Sequence, residues 1–247
     1  LRRNVEETPR FAVEKKDQSE IADIEKKLGV STENGESAPD EGYVKPSYSR
    51  RAFFTFTSWF FNDLIFYGIG IYTATLLLEL HYTTHSGSLL LTLILYIIGI
   101  TGTLFFVFTA DRFGRKKWQQ YTFLAQGLAL LLLALYAIAI SKEPPILLLF
   151  PMFAIFYFAN AGGTGETTGI FVSELFPTRI RTTAMGAGTA ISRVGAIISA
   201  VVFPITLKLY GAIPMELILF VVGFLGFLIT LIFGEETKNR SLEAISS

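Results

Sequence analysis

The sequence predicts an all-α membrane protein, a bundle of six transmembrane helices preceded by a polar segment. Three observations carry that expectation. Apolar residues come in blocks of about 20 or more, separated by short polar connections. The composition is 51% hydrophobic and 17% charged, with 23 Phe and a mean hydropathy of +0.48, a balance that soluble domains rarely show. The connections between blocks also alternate between basic and nearly neutral. The formal net charge of zero says little, because its distribution is what matters. With no Cys, thiol redox chemistry, disulfides and thiolate zinc sites are excluded.

Residues 1–51 form the polar leading unit. Within 11–28, Val13, Ile21, Ile24 and Leu28 recur at helical spacing among Lys and Glu, the pattern of a surface amphipathic helix that stops at Gly29. Residues 31–46, rich in Ser, Glu, Gly, Asp and Pro, read as a flexible linker. The chain opens on Leu1-Arg2-Arg3, with no starting Met and no signal peptide, so an upstream part is expected to be missing. Residues 52–234 are the membrane unit, with spans expected near 53–79, 88–110, 118–140, 146–172, 182–207 and 215–233, and 235–247 form a tail.

Arg112, Arg115, Lys116 and Lys117 follow the second span, Arg179 and Arg181 the fourth, Lys238 and Arg240 the sixth. The opposite connections hold His81 and His85, Lys142 with Glu143, and Lys208 with Tyr210. The positive-inside rule then puts the basic set, and both ends of the chain, in the cytoplasm of an integral protein of the plasma membrane.

Trp59, Asp63 and Tyr67 recur every fourth residue in the first span and so share a slowly drifting helix face. Asp63 lies near mid-membrane, where a carboxylate must take a proton, pair with a cation or face a water-filled cavity. Arg193 lies at a similar depth in the fifth span and needs a partner, either Asp63 or an anionic substrate. In the fourth span, Asn160, Thr164 and Glu166 fall in a Gly-rich run, NAGGTGETTG. Its glycines permit close helix approach or a locally broken helix of the kind that lines transporter sites. It lacks the Gly-Lys-Ser/Thr ending of a phosphate-cradling loop, so a nucleotide site is rejected. Asp111-Arg112-Phe113-Gly114-Arg115-Lys116-Lys117 combines a tight Gly turn with an acid facing bases, a charge-paired latch able to open as helices rock. His81 and His85 read as loop residues rather than a metal pair. No nucleophile, base and metal-ligand set converges, so no enzyme, cofactor, metal or nucleic-acid partner is expected.

Read together, these motifs resemble the C-terminal half of a major facilitator superfamily transporter of the sugar-porter type. Glu7-Thr8-Pro9-Arg10-Phe11 is similar to the Glu-Ser-Pro-Arg-Trp element after the sixth helix of that family. DRFGRKK resembles the motif between helices eight and nine, and ELFPTRIRTTAMG (174–186), with Glu174, Arg179 and Arg181, the element between ten and eleven. ISRVGAI (191–197) is similar to part of helix eleven, and EETKNRSLEAI (235–245) to the family's tail motif. Trp59, Asp63 and Tyr67 resemble the seventh helix of the phosphate:proton symporters, where the acid and aromatics contribute to the phosphate site and the acid to proton coupling. This chain departs from that family in having Gly163-Thr164-Gly165 in place of Gly-Pro-Asn, and Arg193 in place of a Lys.

The resemblance implies a partner in the missing N-terminal six-helix half, a substrate bound between halves near the midplane, and alternating access by rocking. The substrate site expected is Trp59, Asp63, Tyr67, Arg193 and Thr164. Asp63 couples protons, with Glu166 in reserve, and Asp111, Arg112, Gly114, Arg115, Glu174, Arg179 and Arg181 form the gating motif. The mechanism expected is symport of protons with a small anion such as phosphate. The rivals are a sugar or organic-ion carrier, and a non-transporting scaffold or sensor built on the same fold.

Overall fold

A computed structural model describes residues 47–79, 83–140, 144–238 and 240. The leading segment before residue 47, His81, Lys142, Glu143, Asn239 and the tail from 241 onward lie outside the described residues. All regular structure among the described residues is helical: α1 (Tyr48–Gly70), α2 (Thr73–Glu79), α3 (His85–Phe113), α4 (Arg115–Ile140), α5 (Ile146–Ala159), a π-helical turn (Asn160–Thr164), α6 (Gly165–Leu175), α7 (Thr178–Tyr210) and α8 (Ala212–Phe233). Grouped into continuous rods, they make six elements long and apolar enough to cross a membrane, in the order expected.

The rods are longer than hydropathy alone suggested, and the reason is electrostatic. The charged ends are helical because backbone hydrogen bonding continues past the apolar core into polar surroundings, where Arg and Lys cost nothing. Thus Arg115, Lys116 and Lys117 form the first turn of α4, and Arg179 and Arg181 belong to α7. The expected basic loops are nearly absent. Gly114 alone joins α3 to α4, Phe176 and Pro177 join α6 to α7, and Gly211 joins α7 to α8. Arg51, read as the end of the leading segment, lies inside α1, which starts after a Ser47 side chain that accepts from the Arg50 amide at 3.4 Å.

Two rods are interrupted. The first breaks after Gly70, where the free Gly70 carbonyl is taken by the hydroxyls of Tyr96 and Tyr157, each at 3.4 Å. Thr73 then donates back to the Ile69 carbonyl at 2.8 Å, restarting the helix as α2. The fourth is widened by the π turn over the Gly-rich run. That run begins at mid-span, and the helix is widened there rather than broken. Gly102 of α3 and Gly162 of the turn meet backbone to backbone, and a Cβ on either would strike the other segment's main chain.

The bundle is inside-out by soluble standards. Phe108 and Leu147 are 82% and 85% exposed on apolar outer faces suited to lipid, while Gln119 and Gln126 are fully buried. α1 packs along α7 and α8, α4 along α8, and α3 against α5 and the π turn. The result sets Asp63 and Arg193 on facing helices near mid-span.

Candidate functional site

α1 and α7 run side by side because small residues on α7 admit them closely. The Ser199 hydroxyl donates to the Leu64 carbonyl at 2.7 Å, and Trp59 and Phe56 lie against Gly188. In that register Nη1 of Arg193 stands 2.9 Å from Oδ2 of Asp63 and 2.9 Å from the Tyr67 hydroxyl, with its guanidinium 5.6 Å from the centre of the Tyr67 ring. Asp63 is buried, whereas the Arg193 side chain is 52% exposed. The pair is therefore asymmetric: a hidden carboxylate holds a cation that still presents N–H groups outward.

The carboxylate is backed by amides that sequence reasoning largely missed. Asn62 donates to Oδ1 of Asp63 at 3.4 Å, Asn160 donates to Oδ1 of Asn62 at 3.0 Å and to Oε1 of Gln126 at 3.2 Å, and Gln126 donates to the Thr164 hydroxyl at 2.9 Å. All are buried. Asn160 had been noted only as a possible contact; Asn62 and Gln126 had passed unremarked. Three spans are stitched by this row, and the π turn is what brings Asn160 and Thr164 onto it.

The structure thus joins Asp63, Tyr67 and Arg193 directly. Trp59 packs on the same side without a polar bond to them, and Thr164 stands behind the amides, fully buried with its hydroxyl engaged. Glu166, half-buried, makes no hydrogen bond or ion pair among the described residues.

A second polar cluster occupies the basic end of the bundle. Arg115 pairs with Asp111 at 2.7 Å and stands 3.4 Å from Glu174, an ion pair lacking hydrogen-bond geometry. Arg181 donates to the Phe176 carbonyl at 3.1 Å, and Arg112 and Arg179 are exposed. The tail folds over this cluster. One oxygen of Glu236 accepts from the amides of Arg115, Thr237 and Lys238 at 3.0, 3.1 and 3.2 Å, which caps the start of α4. Lys238 donates to the Arg112 carbonyl at 2.6 Å. Gly114 permits this: its φ is 93°, and a Cβ there would strike the Glu236 carboxylate. Glu236 carried no separate expectation in this cluster, although EETKNRSLEAI is singled out as a motif.

The model of the family described as "Sugar (and other) transporter" matches residues 2–247. The chain belongs to that family. A repressible high-affinity phosphate permease of Neurospora crassa is 32% identical to this transporter-family chain over 157 residues, 58% of the chain and 26% of the permease. A Schizosaccharomyces pombe protein provisionally named an inorganic phosphate transporter is 28% identical over 236 residues, 92% of the chain and 40% of that protein. Among solved structures, XylE, a proton:xylose symporter of the major facilitator superfamily, superposes with a TM-score of 0.74 at 21% identity, over 98% of the chain and 54% of XylE. The chain therefore has the major facilitator fold and spans 26% and 40% of those two relatives' lengths.

Proposed function

We propose that this family member carries the C-terminal half of a proton-coupled symporter for a small anion of the phosphate class. The observation that carries the reading is the asymmetric pair, a buried Asp63 holding a half-exposed Arg193 at mid-span. With Asp63 ionised, Arg193 is neutralised internally. Once Asp63 takes a proton, the guanidinium is released to bind a dianion through charge-assisted hydrogen bonds, with Trp59 and Tyr67 as further donors. Deprotonation toward the higher-pH side re-forms the pair and expels the anion. Thr164 contributes by holding Gln126 from the π turn, and Glu166, half-buried on the next turn, is the alternative proton carrier.

Asp111, Gly114, Arg115 and Glu174 act as a latch between α3, α4 and α6 at the cytoplasmic end, with Arg112, Arg179 and Arg181 at its rim. The site is completed by a second six-helix half, and the half-exposed face of Arg193 is where substrate meets it. The plasma membrane is the proposed location, with the basic end inside. The names of the permease from Neurospora crassa and the Schizosaccharomyces pombe relative support phosphate. A sugar carrier is the second reading, favoured by the likeness to XylE. Against it, a sugar offers no charge to replace Asp63 on Arg193.

The test is uptake of labelled phosphate into proteoliposomes carrying the full-length protein under an inward proton gradient, for wild type and Asp63→Asn. Gradient-driven uptake that Asp63→Asn abolishes supports the reading. Wild-type protein that ignores phosphate but accumulates a sugar or organic ion overturns the substrate assignment, and intact coupling in Asp63→Asn with loss in Glu166→Gln moves the proton site.

A further inference from the structure

A carbonyl oxygen can only accept a hydrogen bond, and that constraint orients the whole buried amide row. The Thr122 carbonyl of α4 accepts from Nε2 of Gln126 at 3.1 Å, which turns Oε1 of Gln126 toward Asn160. Nδ2 of Asn160 therefore faces Gln126 and donates also to Oδ1 of Asn62 at 3.0 Å. Nδ2 of Asn62 is left facing Oδ1 of Asp63 at 3.4 Å. Turning any one amide would set two acceptors or two donors face to face. Since Asn62, Gln126 and Asn160 are at most 5% exposed, water cannot repair the mismatch.

The other oxygen of Asp63, Oδ2, takes Arg193. Ser192 also bears on the carboxylate, but its hydroxyl donates to the Thr189 carbonyl at 2.9 Å. Tyr67, on the same helix as Asp63, reaches Arg193 instead. α6 with Glu166 and α8 with Glu216 pack against α1, and neither carboxyl is a partner of Asp63. Among the described residues, Arg193 is thus the single charged group facing Asp63, and Asn62 the single side-chain N–H facing its Oδ1.

We propose that Asn62 is a positioning residue: anchored through Asn160 and Gln126 to the Thr122 carbonyl, it engages Oδ1 of Asp63 as an acceptor and directs the proton to Oδ2, the oxygen that Arg193 uses. The Asn62 N–H takes one of the two lone pairs on Oδ1 and makes that oxygen the weaker base, which favours the proton on Oδ2. A proton on Oδ2 crowds the N–H of Arg193 and removes the charge that holds it. Binding of one therefore expels the other, which is the exclusion that coupling requires. The inference rests on the proton-coupled reading above and adds the group that steers the proton to the oxygen Arg193 uses.

Proton-induced difference infrared spectra of the full-length protein in lipid vesicles read both partners. The protonated-carboxyl band is identified by its loss in Asp63→Asn, and the guanidinium response by its loss in Arg193→Lys. In wild type the two appear with one midpoint. In Asn62→Leu and Gln126→Met the carboxyl still protonates, now also on Oδ1, and the guanidinium response shrinks and no longer shares its midpoint. Gradient-driven phosphate accumulation falls with it. Gln126→Met keeps the side-chain volume and touches Asp63 nowhere, so it carries the test where Asn62→Leu does not fold. A guanidinium response that still follows the carboxyl in both variants overturns the proposal. A wild type whose two bands are linked, with the link broken in both variants, but which accumulates no phosphate supports the role of Asn62 and sinks the transport reading instead.

Discussion

Arg51 and Glu235 meet through two parallel hydrogen bonds, Nε to Oε1 at 3.1 Å and Nη2 to Oε2 at 3.0 Å, across 184 positions of sequence. The same guanidinium donates to the Leu175 carbonyl at 2.9 Å and is 1% exposed. One side chain thereby ties the start of the first span to the end of the fourth and to the chain leaving the sixth. Truncating it removes a charge-assisted fork from the Glu235 carboxylate and the donor on a helix-end carbonyl. Arg51→Ala is expected to cost about 3–5 kcal/mol, read as a fall in melting temperature of the protein in detergent. Arg51→Lys recovers only a minor part, because an ammonium cannot make the fork. A melting temperature within error of wild type for Arg51→Ala would show that the clasp contributes nothing.

Gly114→Ala meets two obstacles at once: a backbone held at a φ of 93° and the Glu236 carboxylate where the new methyl would sit. The backbone term alone is about 1–2 kcal/mol. The expected result is release of the tail from the start of α4, measured as faster proteolytic cleavage near Glu235–Lys238 with the rest of the bundle intact. Unchanged cleavage would mean that Glu236 relocates without loss.

Arg193→Gln leaves Asp63 buried without its cation, and the carboxyl escapes the cost by holding a proton. Arg193→Gln should lower the melting temperature at high pH more than at low pH, and adding Asp63→Asn should remove the difference. A double-mutant cycle that closes without an interaction energy would show the pair to be energetically idle.

Gly162→Val places a branched side chain against the Gly102 main chain, forcing α3 away from the π turn. Loss of several kcal/mol is expected, on the scale of overpacking plus a broken backbone contact. Gly169→Ala on α6, where a Cβ has open space, is the control for adding a side chain and should be neutral to slightly stabilising. Equal stability of the two variants would deny that α3 and the π turn pack closely.

Legibility in the sequence followed cost. Asp63 could be named as one of two candidate partners of Arg193 from depth alone, because a charge at mid-membrane demands a partner whatever the packing. Tyr67 followed from helical spacing. Asn62 and Gln126 carry no such demand: a neutral amide has too small a desolvation cost to announce itself, and only the register of α1, α4 and the π turn makes it decisive. The break after Gly70 had its signal in Gly68 and Gly70 ahead of Thr73, but hydropathy runs through it unchanged. Arg51 was misread for the opposite reason. Its charge suggested exposure, and the neutralising Glu235 comes from the far end of the chain.

The cap on α4 has a consequence for how the protein is made. The carboxylate that satisfies the Arg115 amide comes from Glu236, 121 positions later. While the ribosome is still extending the chain, the third span must enter the bilayer with that terminus unserved, and it waits through three more insertions. The clasp then closes last. A nascent chain arrested before Glu235 would present an open α4 terminus and lack the Arg51–Glu235 fork, two marks by which quality-control proteases could tell an unfinished bundle from a finished one.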